Sequence, residues 1–187
     1  KQLTLLGQIL FVSIMIGCFM VYLALFRYDY YQKKSSLSLL FFLMIFFPII
    51  TSVIVSNNLF SVYAVPFAML PMIIRIFLDS RTAFMAHIVS IMLCSILLRT
   101  PHEFILLQTV AGIVSIHSLR ELSQRSQLMR SALFVFMSYS LTYLSLDLIH
   151  VGEIEQLSTQ MYILFGVNAI LLLFTYPLLF ILEKTFS

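Results

Sequence analysis

Charged side chains are scarce in this chain: Asp, Glu, Lys and Arg make up 10% of its 187 residues, where a soluble domain carries about a quarter. With 61% of residues hydrophobic and a mean hydropathy of +1.03, too few polar groups remain to cover a soluble core. That excludes a water-soluble globular fold and requires an integral membrane protein. Cysteine is nearly absent: Cys18 and Cys94 both fall inside apolar runs, so buried inert thiols are expected rather than a disulfide framework. No GxxxxGK[ST], HExxH, CxxC or GxGxxG pattern occurs, and no His-Asp dipeptide, which removes the common nucleotide and metal motifs. No internal repeat at a fixed period is present either, against an inverted-repeat transporter. The sequence opens on Lys-Gln without an initiator Met, as a piece of a longer or processed product would.

Apolar runs predict seven membrane spans, at about residues 5–26, 37–55, 60–78, 82–98, 104–119, 132–149 and 161–182, each near the roughly 20 residues a bilayer requires. The fold expected is all-α, a single seven-helix transmembrane bundle over residues 1–187. Pro48 is expected to break the second span. The third, with Pro66 and Pro71, relies on neighbouring helices to satisfy freed backbone groups. An odd number of spans puts the termini on opposite sides. With the N-terminus outside, Arg27, Lys33, Lys34, Arg75, Arg81, Arg120, Arg125, Arg130 and Lys184 face the cytoplasm, leaving Lys1 and Arg99 outside. The positive-inside bias therefore predicts an N-out, C-in chain. It also explains the net charge of +3 without nucleic acid as a partner.

Polar residues within the spans are the functional candidates. Arg75 and Asp79 are four apart and can pair on one helix face. Together with His87 and His117 they form an expected inner polar cluster, with helix anchoring and carbonyl-bonded histidines as the plainer explanation. Asp147 lies inside the sixth span, one turn from His150. An intramembrane carboxylate calls for a partner, and an outward-facing ligand or proton site of Asp147, His150, Arg99, His102 and Glu103 is the functional reading. A wetted or paired aspartate explains it equally well. Asn168 is expected to hold helices together and Gly112 to mark a close approach. No metal-binding spacing is present.

The stretch YAVPFAMLPMIIRIFLDSRTAF, the segment EFILLQTVAGIVSIHSLRELSQRSQLMRSA and the ending YPLLFILEKTFS resemble the membrane region of the seven-transmembrane HD-hydrolase family. The resemblance covers essentially the whole chain. It implies an extracytoplasmic domain before the first span and a cytoplasmic HD phosphodiesterase after the last, hydrolysing the bacterial messenger cyclic di-AMP at a divalent metal pair. None of those metal ligands is in this chain, for which neither cofactor nor catalysis is expected. The chain is then the linker between sensor and enzyme in the bacterial cytoplasmic membrane. Its partners are the bilayer and its own flanking domains, with a homodimer left open. Glu183 and Lys184 mark the output junction, and the loop from Arg120 to Arg130 offers a surface to the catalytic domain or to anionic lipid. Two rivals come from other classes: a substrate-binding membrane subunit of a vitamin-type transporter, and a structural protein of the cell-shape machinery. Six spans with both termini on one side would favour the transporter. A membrane-embedded hydrolase is the least supported, because no nucleophile, base or metal set converges at one depth.

Overall fold

The computed structural model describes residues 2–119, 125–150 and 158–186, all helix, turn or irregular chain with no strand among them. The helices are α1 (Gln2–Phe26), α2 (Tyr28–Gln32), α3 (Lys34–Asn57), a 3-10 turn (Val62–Ala64), α4 (Met69–Phe77), α5 (Ser80–Ser95), α6 (Pro101–Ser118), α7 (Arg125–His150), α8 (Thr159–Leu172) and α9 (Thr175–Phe186). The all-α expectation holds, and each apolar run contains one helix or one interrupted helix. By length and composition α1, α3 and α7 can each cross a membrane alone, and α8 with α9 forms a bent pair that can cross as one. The short α2, between α1 and α3, was not foreseen.

Burial sorts the helices into layers. Only Phe19 and Leu23 of α1 are buried, so most of its apolar surface faces outward, as a lipid-facing helix must. In α4, by contrast, every residue from Met69 to Ile74 is buried. This nine-residue helix is the centre of the bundle, packed on α3, α5, α6 and α9, while α5 touches α1, α3, α4 and α6. A central helix meets no lipid, which is why its chain can be irregular where a lipid-facing one cannot.

Prolines act differently by position. Contrary to expectation, α3 runs unbroken through Pro48. Pro66 does interrupt its span. Val65 before it is extended, at φ −73° and ψ 127°, because the proline ring disfavours helix in the preceding residue. The run over residues 60–78 is therefore a 3-10 turn, a bend and then α4, rather than one helix. Pro71 falls in the first turn of α4, where a missing N–H is harmless. Pro177 sits in the first turn of α9, and its ring crowds the carbonyl four residues back. That carbonyl belongs to Leu173, where α8 gives way to α9 with a bend of about 40°.

Asp79 ties α1 to the centre. Its Oδ1 accepts the Thr82 N–H at 2.6 Å as the N-cap of α5, and its carboxylate pairs with Arg27 at the end of α1. The expected Arg75–Asp79 pair does not form. α4 stops at Phe77, and Leu78 at φ −128° and ψ −104° takes Asp79 off the helical path that would have stacked the two.

Candidate functional site

Three polar assemblies occupy different depths. In the middle, His87 of α5 is fully buried, its Nε2 donating to the Gln108 carbonyl of α6 at 2.8 Å. A carbonyl only accepts, so Nε2 carries the hydrogen, and Nδ1 is left without a partner among the described residues. The Gln108 side chain accepts from the Tyr139 hydroxyl of α7 at 2.5 Å. The Tyr139 ring lies 5.2 Å from Phe165 of α8 and nearly parallel to it. Asn168, one turn further along α8, donates to the carbonyls of Tyr63 and Val65 at 3.0 and 2.7 Å. These are backbone groups that the break at Pro66 takes out of a helix. A polar chain thus runs through α5, α6 and α7, and α8 fastens the interrupted span beside it.

Gly112 belongs to the same assembly. A Cβ there would overlap the His87 ring, whereas one at Gly7, Gly17 or Gly166 would meet nothing within 4 Å. Glycine at 112 lets α6 approach α5 closely enough for the His87 bond to close.

At one end, a cavity of about 550 Å³ is lined by Arg99, Thr100, Pro101, His102, Glu103, Leu106, Tyr143, Leu146 and Asp147. Four of the five residues proposed for an outer site therefore share one cavity. The fifth, His150, closes α7, and its side chain lies outside the described residues. Asp147 Oδ2 is buried with no hydrogen-bond partner among the described residues. Such an acceptor can take a proton or a donor from a ligand.

At the other end, a cavity of about 690 Å³ is lined by Arg27, Arg75, Ser80, Arg81 and His117, with Tyr22, Phe26, Phe84, Met85, Ile113 and Ile116 as its apolar walls. The α6 helix joins the two ends, with His102 at one cavity and His117 at the other, fifteen residues or about 22 Å along the helix axis. The expected inner cluster is only partly assembled. Arg75 and His117 share this cavity, Asp79 is engaged with Arg27, and His87 is sealed between α5 and α6. The reason is depth along α5: His87 lies about two turns beyond Ser80, against Gly112 and Gln108 of α6, past the cavity that Ser80, Arg81, Phe84 and Met85 line.

Glu183 and Lys184 lie exposed in the last turns of α9. Glu183 borders a further cavity of about 320 Å³ with Ile76 and Phe77 of α4 and Gln127 and Leu128 of α7. Of the arginine loop, Arg130 is exposed on α7. Arg120 and the side chain of Arg125 lie outside the described residues.

Neither Tyr139 nor Gln108 is among the candidates read from the sequence. A signal existed, since both are hydrogen-bonding side chains inside apolar runs on consecutive spans. Arg27 and Asp79 were also traceable as partners, because both close spans at the same predicted end.

Apolar helices with their longest faces outward, a polar chain sealed inside and charged cavities at opposite ends define a polytopic helical membrane bundle. The family described as 7TM receptor with intracellular HD hydrolase matches residues 2–187. The chain belongs to that family. No curated protein and no solved structure matches it.

Proposed function

We propose that this chain is the signalling and anchoring membrane domain of a phosphodiesterase that hydrolyses cyclic di-AMP, coupling an extracytoplasmic sensor to a cytoplasmic HD domain. The observation that carries the reading is the fastening of one interrupted span by another. Asn168, on the first half of the bent α8–α9 pair, holds the backbone of the broken stretch before α4. Small helix shifts are a common signalling device, and a stretch held by two side-chain hydrogen bonds from another span moves with that span. In this reading the outer cavity on α6 and α7 receives the signal. The α7–α8 packing and Asn168 pass it to α4 and α9, and Glu183 and Lys184 hand it to the catalytic domain. The metal pair and the hydrolysis belong to the HD domain, and the location is the cytoplasmic membrane of a bacterium. The 550 Å³ outer cavity with its unpartnered Asp147 oxygen is also what the vitamin-transporter alternative would need.

Orientation separates the two. Single cysteines at Gln2→Cys and Thr185→Cys, in a Cys18→Ala, Cys94→Ala background, are probed with a membrane-impermeant maleimide in intact cells. The proposal expects Gln2→Cys to label from outside and Thr185→Cys only after permeabilisation. Both positions labelling from one side would remove the linker reading and favour the transporter.

A further inference from the structure

The 690 Å³ cavity has no role in the coupling route, and its composition is specific. Three guanidinium groups, from Arg27, Arg75 and Arg81, and the Ser80 hydroxyl gather at its polar side, with no acidic residue among the described residues of its lining. Arg27 is held by Asp79, and its Nε is buried without a hydrogen-bond partner among the described residues. Arg75 is half-buried, and neither it nor Arg81 has a carboxylate partner among the described residues. A guanidinium drawn partly out of water without a counter-ion is unfavourable, so the cavity is incomplete as the protein alone presents it. His117 adds a conditional donor. Its Nδ1 donates to the Ile113 carbonyl at 2.8 Å, leaving Nε2 to accept when the ring is neutral and to donate when it is protonated.

We infer that this cavity is a binding site for a phosphate-bearing anion. Arg75 and Arg81 are its principal ligands, and the fork-like guanidinium geometry suits phosphate oxygens. The remaining walls, Tyr22, Phe26, Phe84, Met85, Ile113 and Ile116, are apolar. That combination matches an anionic phospholipid, its headgroup on the arginines and the start of its acyl chains along the aromatic side. Basic pockets between membrane helices take such headgroups. A soluble phosphate ester would use the same arginines and leave the walls uncovered.

The test uses the whole chain in neutral detergent, with native mass spectrometry and thermal melting at increasing dioleoylphosphatidylglycerol, dioleoylphosphatidylcholine or glycerol phosphate. Saturable retention of phosphatidylglycerol over phosphatidylcholine is expected, with a rise in melting temperature. Arg75→Gln and Arg81→Gln should each weaken it about tenfold, with Arg75→Lys recovering part. Lys33→Gln and Lys34→Gln, exposed cations outside the cavity, should leave it unchanged. If Arg75→Gln fails to fold, the exposed Arg81→Gln decides alone. Arginine-dependent binding of glycerol phosphate as tight as that of the lipid would support the anion site with a soluble occupant. Equal retention of both lipids, or retention indifferent to Arg75 and Arg81 but lost with Lys33 and Lys34, would overturn it.

Discussion

Gly112→Val is expected to lower the stability of the bundle by about 3 kcal/mol, read as a drop in melting temperature in detergent. Two costs combine. The new side chain overlaps the His87 ring, and overpacking a tight site costs about 1–3 kcal/mol. Displacing the ring also opens its 2.8 Å bond to the Gln108 carbonyl and leaves a buried N–H without a partner, at about 1–3 kcal/mol more. Gly112→Ala is a finer probe because a competing effect has the opposite sign. Alanine gains about 1 kcal/mol of helix propensity over glycine, so a smaller net loss is expected. Gly17→Ala, where a Cβ meets nothing within 4 Å, should be neutral or slightly stabilising. Pairing Gly112→Ala with His87→Ala should recover most of the clash, since contacting residues are not additive. Equal melting temperatures for the Gly112 and Gly17 variants would mean that α5 and α6 are not packed as described.

Asn168→Leu is the second large effect, at about 2 kcal/mol. It keeps the side chain's approximate size and removes both donors from the Tyr63 and Val65 carbonyls. Hydrogen bonds between membrane helices are often worth only about 0.6 kcal/mol, because the freed groups find other partners. Val65 keeps one, the Phe67 N–H at 2.9 Å. The Tyr63 carbonyl lies where Pro66 has ended the helix, so a larger cost is expected there. Hydrogen exchange should locate the damage, with faster exchange in residues 61–68 and little change in α6. Unchanged exchange in that stretch would show that Asn168 does not hold it.

The sequence reveals helices and apolar runs well and interruptions poorly. Runs of apolar residues declare themselves because lipid leaves the backbone few alternatives. Pro48, Pro66 and Pro177 look alike in sequence yet act differently. One is absorbed in α3, one follows a 3-10 turn whose flanking carbonyls Asn168 serves, and one lies in the first turn after the bend of the α8–α9 pair. The Arg75–Asp79 pairing failed for a related reason. A four-residue spacing has meaning only where the helix continues, and α4 ends between the two. Arg99, His102, Glu103 and Asp147 were easier to group, since a shared end of the bundle follows from counting spans. His87 was not, because it lies about two turns further along α5 than Ser80, sealed against Gly112 and Gln108 of α6.

The coupling claim is tested most directly by cyclic di-AMP hydrolysis of the full-length parent protein in proteoliposomes, with Asp147→Asn compared against the parent. In the proposed reading the catalytic metals belong to a separate HD domain, so an anchor alone would be indifferent to Asp147. The account predicts metal-dependent hydrolysis whose rate changes about fivefold or more with Asp147→Asn, in the range of ordinary coupling energies, at unchanged melting temperature. An identical rate in the two proteins, or no hydrolysis from the parent, would contradict it.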